Sequence, residues 1–175
     1  MAGPVHVPIT SDAALFDRAV ELGRDLLWYH TWGERFQPEG AGSVLPEGTT
    51  REVTPIVCYP DQIHYTAEDQ LLHVGTGRFA PVSPEVYNFE VSGLKVLRSW
   101  LGYRMLKGQR SGLDDIRPAQ WVFTEELLRV ITILQHTVDV TPSAAQLLEE
   151  IVNGPLIPTS DLPTPTEAER KPPRL

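Results

Sequence analysis

Apolar residues recur at the spacing of an α-helix in four stretches of the chain. In the first, residues 11–31, apolar side chains occupy one face and charged side chains occupy the opposite face. The other three stretches are residues 93–107, 124–138 and 142–154. Because an apolar face is stable only against other apolar groups, the pattern predicts four helices that pack on a core.

Shorter stretches of the chain favour β-strands. They are residues 52–59, 63–66, 71–74 and 86–91. Glu68 and Asp69 are expected at a hairpin tip, and the glycines and prolines of residues 33–50 predict a surface loop. The chain is therefore predicted to adopt an α+β fold, with a small, mainly antiparallel sheet flanked by about four helices.

The length and the C-terminal composition predict one folded domain followed by a tail. A chain of 175 residues corresponds to about one domain. Six prolines fall among residues 155–175, which disfavours regular packed structure. We expect a domain over residues 1–157 and a proline-rich disordered tail over residues 158–175.

Composition excludes several classes of protein. Hydrophobic residues make up 41% of the chain and charged residues 22%, as in ordinary globular domains. No apolar run is long enough to cross a membrane, and residues 1–10 lack the pattern of a secretion signal. Cys58 is the only cysteine, which excludes an internal disulfide and a multi-cysteine zinc site. These observations predict a cytoplasmic protein without a membrane partner.

One glycine motif matches a cofactor signature but stands in the wrong context. Residues 75–80 fit the dinucleotide-binding pattern, in which glycines let a helix N-terminus approach a pyrophosphate. Pro81 and Pro84 lie where that helix would have to run, so a turn between strands is the better interpretation. Nucleophile elbows, phosphate-binding loops and methyl-transfer motifs are also absent from the sequence. We therefore predict no cofactor and no catalytic residue.

The histidines and Cys58 do not form a metal-binding pattern. No two histidines have the spacing that places two ligands on one helical face, so no metal site is predicted. His30 is expected in the core and His136 in solvent, while Cys58 is expected as a small buried side chain within a strand. His64 and His73 are expected to face each other across the hairpin, which leaves a small hydrolase site as a distant alternative.

The charge distribution supplies the strongest functional signal. The net charge of −8 disfavours nucleic-acid binding over the whole surface. Residues 95–110 reverse this balance, and we predict that they form a DNA-binding surface. The basic residues of this segment are Lys95, Arg98, Arg104, Lys107 and Arg110. Replacing Arg104 or Lys107 with alanine is expected to weaken DNA binding and to make its salt dependence shallower.

Helical geometry sorts part of this basic segment. Four residues fall on one polar stripe: Lys95, Arg98, Ser99 and Gly102. A phosphate backbone could approach this stripe closely at the glycine, and the following basic loop could read base edges. The alternative is structural, because cations near a helix C-terminus complement its dipole, and Arg98 or Arg104 could pair with carboxylates.

Three segments, in order and at suitable spacing, resemble a known family. They are residues 7–36, with Trp28-Tyr29-His30-Thr31-Trp32-Gly33, residues 72–79, and residues 86–104. Together they are similar to the C-terminal specificity region of type ISP restriction-modification enzymes, and the similarity runs from about Val5 to Pro158. Ser92-Gly93 departs mildly from the paired glycines that relatives often carry.

The resemblance implies a target-recognition domain that helps to select a short asymmetric DNA sequence. In such enzymes a nuclease, a helicase-like ATPase and an adenine N6-methyltransferase precede this region. The implied partners are double-stranded DNA and a methyltransferase or helicase-nuclease polypeptide, and the chain itself is expected to lack methylation, cleavage and ATPase activity. The family supplies no residue-level code for base contacts, so the five basic residues rest on the charge argument.

A protein-interaction module is the main alternative function. The negative net charge favours docking of apolar surfaces, including part of the first helix, on a methyltransferase core without autonomous DNA binding. The two functions are compatible within a full-length enzyme.

Overall fold

The structure is a computed structural model that describes residues 7–42, 44–106 and 118–171. The helices are α1 (Ala13–His30), α2 (Pro84–Asn88), α3 (Val96–Arg104) and α4 (Thr124–Asn153). The strands are β1 (Arg51–Thr54), β2 (Ile63–Thr66), β3 (Leu71–Val74), β4 (Gly77–Ala80), β5 (Glu90–Val91) and β6 (Leu94–Lys95). The predicted α+β fold is confirmed. The chain forms two compact units, one of residues 24–142 and one of residues 1–23 and 143–175.

The unit of residues 24–142 is built on an antiparallel sheet with strand order β1-β4-β3-β2. β2 and β3 form the predicted hairpin, with a turn at residues 67–70 and register pairs from Ile63 and Val74 to Thr66 and Leu71. β4 continues antiparallel to β3 after a turn at Gly75 and Thr76. The glycine motif therefore joins two strands, as its prolines predict.

One face of this sheet and two helices enclose the main core. Alternation along the strands turns Leu72, Val74 and Phe79 inward, where all three are fully buried. The helices α3 and α4 add further fully or almost fully buried side chains: Leu97, Leu101, Leu127 and Ile131. The residues between the inward ones, including His73 and Arg78, consequently lie on the opposite face of the sheet.

The predicted strand over residues 86–91 is wrong in its first half, because residues 86–88 belong to helix α2 and only Glu90–Val91 form a strand, β5. The Ser83 hydroxyl accepts a hydrogen bond from the Val86 amide, and Pro84 occupies the first turn, where a proline favours a helix start. β5 and β6 then pair around Ser92 and Gly93, which both have positive φ angles, as a tight two-residue hairpin requires. Local capping therefore outweighs the alternation of apolar residues.

Strand β4 lies in the segment that the sequence assigned to a turn. Its first residue, Gly77, packs so closely on Ile56 that a Cβ atom there would overlap the isoleucine side chain. β1 is shorter than predicted, since it ends at Thr54 before Pro55, which cannot donate a backbone hydrogen bond. The predicted strand over residues 52–59 thus keeps only its first part.

The prediction of two helices, over residues 124–138 and 142–154, is also wrong, because residues 124–153 form the single helix α4. Pro142 lies inside this helix. A proline at this position removes one backbone hydrogen bond of the helix. For this reason the sequence predicts that a new helix begins near Pro142, whereas the helix continues through it. The helix ends at Asn153, close to the predicted stop at Gly154.

The second unit, residues 1–23 and 143–175, contains local caps and, among its described residues, two ion pairs. The Asp12 carboxylate accepts hydrogen bonds from the Ala14 and Leu15 amides, which caps α1. Thr10 forms a β-bridge with Leu156. From residue 158 to residue 171 the regular structure is one 3-10 helix, Thr159–Asp161. None of the described helices is long and apolar enough to cross a lipid bilayer.

Candidate nucleic-acid interface

The polar stripe of α3 lies along an open cavity of about 500 Å³. Lys95, Arg98, Ser99 and Gly102 all line this cavity, so the structure brings together the four residues that helical spacing selected. Lys95 and Arg98 are exposed, whereas Leu97 and Leu101 on the other side of the helix are fully buried. The burial of the apolar side fixes which side chains of α3 reach solvent.

Neither Lys95 nor Arg98 belongs to an ion pair within residues 7–42, 44–106 and 118–171. The Arg98 guanidinium carbon lies 6.0 Å from the centre of the Tyr87 ring, a weak cation-π distance for an exposed side chain. Two carboxylates lie nearby in the fold: Glu90 is the register partner of Lys95, and Asp61 lines the cavity. The two cations are therefore available for an anionic ligand.

Arg104 occupies quite different surroundings at the end of the same helix. Its Nη2 atom lies 3.1 Å from a carboxylate oxygen of Glu126, and its guanidinium carbon lies 3.9 Å from the centre of the Trp100 ring. Its Nε atom is buried without a hydrogen-bond partner among the described residues. The charge of Arg104 is therefore neutralised inside the unit, which is the structural alternative that the sequence left open.

The remaining two basic residues, Lys107 and Arg110, lie outside the described residues.

The separation of Arg104 from the stripe follows from helical geometry, because six residues place it roughly 120° around the axis from Arg98. Counting charges along the sequence does not separate Arg104 from Arg98, whereas the helical period places them on different sides of α3.

A second group of basic side chains lies on the sheet face opposite the core. His64 and His73 are register partners in β2 and β3, and their ring centres lie 5.7 Å apart. Arg78 is the register partner of His73 in β4. The predicted meeting of the two histidines is confirmed, but Arg78 was missed because residues 75–80 were interpreted as a turn.

Local electrostatics keep His73 largely neutral near neutral pH. Desolvation lowers the pKa of His73, and the charges of Arg78 and then His64 lower it further. The two histidines also line a cavity of about 400 Å³ together with Cys58 and Asp61. Among the described residues, no three His, Cys, Asp or Glu side chains are grouped closely enough to hold a metal ion.

The other singled-out side chains correct three expectations. His136 stacks on Tyr29 and hydrogen-bonds Asp25, so it is not simply solvated. His30 is exposed and hydrogen-bonds the Thr137 hydroxyl, so it is not a core residue. Cys58 is exposed and lies beyond the end of β1. These errors share one cause. The period of a helix or strand shows which face a side chain lies on, but it does not show which other element covers that face.

In a comparison with protein-family models, residues 3–132 match the type ISP C-terminal specificity domain. The match spans more than half of the chain and includes the sheet and both groups of basic side chains. This chain belongs to the type ISP specificity-domain family. Membership of that family indicates a target-recognition role in restriction-modification. No curated protein and no solved structure gave a significant match.

Within this specificity domain, the matched region ends inside α4, after Ile131 and Thr132. The cavity at Lys95 and Arg98 and the sheet face at His64, His73 and Arg78 therefore both lie in the family region.

Proposed function

We propose that this specificity domain recognises duplex DNA and contacts the phosphate backbone through Lys95 and Arg98. The observation that carries the proposal is the pair of exposed cations along the open cavity of α3, neither of which has an ion-pair partner in the part of the chain that the structure describes. Family membership supplies the target-recognition role, and the α3 cavity supplies a surface with the charge that DNA requires.

The charge pattern supports a single docking side. The chain as a whole carries a net charge of −8, so most of its surface repels phosphate. An approach that places phosphates against Lys95 and Arg98 avoids most of this repulsion. Gly102 lies beside the two cations and has no side chain, which lets a DNA strand come close to the helix backbone.

In this proposal the chain contributes recognition alone and acts in the cytoplasm, where it meets DNA. Methyl transfer, DNA cleavage and ATP hydrolysis belong to other parts of a restriction-modification enzyme. Lys107 and Arg110 remain proposed DNA contacts on the charge argument, whereas Arg104 is assigned to the fold because of its contacts with Glu126 and Trp100.

The salt dependence of DNA binding tests this proposal directly. Binding of the full chain to a randomised duplex pool is measured over a range of salt concentrations. We expect the Lys95→Ala/Arg98→Ala variant to bind more weakly and to reduce the slope of log K against log salt by about two, one for each lost phosphate contact.

A charge-matched control separates a local contact from a general change of net charge. Arg35→Ala/Arg129→Ala removes two exposed cations from other parts of residues 24–142. We expect it to leave the slope unchanged. Equal slopes for the wild type and Lys95→Ala/Arg98→Ala would overturn the proposed role of α3.

A docking function has one specific observation in its favour. Trp32, Val44 and Leu45 line a mainly apolar cavity of about 360 Å³ together with the α4 residue Leu128. Such a cavity suits an apolar side chain of a methyltransferase core. The second candidate is therefore docking without autonomous DNA binding. Gel shifts with the isolated chain, repeated with a methyltransferase polypeptide, distinguish it, because docking alone gives a shift in the second experiment only.

A further inference from the structure

The outer face of the sheet carries three side chains that can all be positively charged. His64, His73 and Arg78 follow one another across β2, β3 and β4 as successive register partners. Neighbouring strands lie about 4.8 Å apart, so the outer two members of this row are about 10 Å apart. We name these three residues the cationic row.

Few opposite charges face the cationic row. On the β1 side, Thr54 is the register partner of Arg78 and carries no charge. On the side of the loop before β2, the lining groups that can titrate are Cys58, Tyr59 and Asp61, and Asp61 is the one carboxylate among them. Arg78 is exposed and forms no ion pair with any part of the chain that the structure describes.

The cationic row adjoins the α3 cavity. The cavity at His64 and His73 and the cavity at Lys95 and Arg98 share three lining residues: Asp61, Gln62 and Ile63. A single extended ligand that lies against one cavity therefore passes directly beside the other. A small isolated anion would use only one of them, whereas a nucleic-acid strand carries a phosphate at every nucleotide.

We propose that the cationic row is a second contact surface for the DNA phosphate backbone, and that His73 binds a proton when DNA binds. The inference rests on the proposed DNA-binding function and extends it to a second site and to a pH dependence. In the free protein Arg78 supplies a positive charge to the row, while desolvation, Arg78 and then His64 lower the pKa of His73 and disfavour a charge on its ring.

Phosphates placed against the row favour a positive charge on His73. A negative charge next to the His73 imidazole favours its protonated form, so the DNA complex holds a proton there that the free protein binds less readily. Binding at the row consequently strengthens as the pH falls from about 8 to about 6, on either side of the ordinary histidine pKa. Among the residues that the structure describes, no histidine lines the α3 cavity, so contacts there do not add to this pH dependence.

The test measures the salt dependence of binding at two pH values. The full chain is titrated with a randomised duplex pool at about pH 6 and about pH 8. For the wild type we expect the slope of log K against log salt to be steeper by about one at the lower pH, since one further phosphate contact forms. His64→Gln/His73→Gln should abolish this difference, and Arg78→Ala should reduce the slope by about one at both pH values.

His30→Gln is the matched control, because His30 is an exposed histidine on α1 and its pKa is also lowered, first by desolvation and then by His136. It should keep the full pH difference of the wild type. NMR titration of the imidazole groups gives a second readout: added duplex should raise the pKa of His73 and leave that of His30 unchanged.

The outcomes separate this inference from the proposed function. If binding depends on Lys95 and Arg98 while the pH difference survives in His64→Gln/His73→Gln, the cationic row is not a DNA contact and the proposed function stands. Unchanged histidine pKa values in the presence of bound duplex lead to the same conclusion. If the wild type binds no duplex at either pH, both proposals are overturned.

Discussion

The two arginines of helix α3 differ in almost every physical respect although six residues separate them. Arg98 is exposed, lines an open cavity and belongs to no ion pair within the described residues. Arg104 lies between Trp100 and Glu126, and 28% of its side chain is accessible to solvent. Although both side chains carry the same formal charge, Arg98 is available to bind a ligand, whereas Arg104 stabilises the fold.

This difference teaches that a run of basic residues is not yet a basic surface. Arg98 lies on the side of α3 that faces solvent because Leu97 and Leu101 hold the other side in the core, and the exposed Lys95 directly precedes the helix at the end of β6. Arg104 falls toward α4, whose Glu126 neutralises it. The buried side of the helix therefore decides which cations are available to DNA.

The largest expected effect comes from the buried side of the helix. Leu101→Ala should reduce the free energy of unfolding by about 2 to 5 kcal/mol, because it removes a fully buried side chain and leaves a cavity. Chemical denaturation measures this loss. Arg98→Ala, on the exposed side, is the control and should change stability by less than about 0.5 kcal/mol. Similar losses for the two variants would show that the sides of α3 are not divided as described.

A smaller loss of stability is expected from Arg104→Ala. The change removes the cation-π contact with Trp100 and the ion pair with Glu126, which are together worth about 1 to 2 kcal/mol for partly exposed groups. The slope of DNA binding against salt should not change. This expectation replaces the one drawn from the sequence, and a slope reduced by about one would restore Arg104 as a phosphate contact.

The smallest effect is expected from the acidic residue between the two cavities. Asp61→Asn removes a negative charge that lines both the α3 cavity and the cavity of the cationic row. DNA affinity at moderate salt should rise by about two- to threefold, as expected for one exposed charge at several ångströms. Asp69→Asn, in the turn between β2 and β3, removes the same charge elsewhere and should have less effect. Equal effects would indicate only a general dependence on net charge.

Much of the local structure could be predicted from the sequence. The strands β2 and β3 have the predicted bounds, and α1 ends within one residue of its predicted end, because these elements follow from periodicity and turn residues close in sequence. Helix α2 was missed because Ser83 and Pro84 start a helix within an alternating pattern. The single helix α4 was missed because Pro142 favours the start of a new helix in the sequence, whereas the structure accommodates this proline inside α4.

The candidate site was only partly predictable. Lys95 and Arg98 line one cavity as expected, although the predicted helix over residues 93–107 begins only at Val96 and Lys95 belongs to β6. The hairpin brings His64 and His73 together as expected. Arg78 was not found, since its strand begins at a glycine and pairs with β3 through a two-residue turn that carried the signature of a loop. The ion pair of Arg104 joins residues on separate helices, and no local pattern indicates such a partner.

The sequence by itself determined the class of fold, the apolar faces of the long helices, the central hairpin and the resemblance to a specificity domain. These depend on backbone preferences and on residues a few positions apart, which the sequence displays directly. Tertiary structure alone decided which cations remain exposed and which histidines face Arg78. Electrostatic interactions act through space between residues far apart in the chain, so the availability of a charge is settled only when the neighbouring elements are in place.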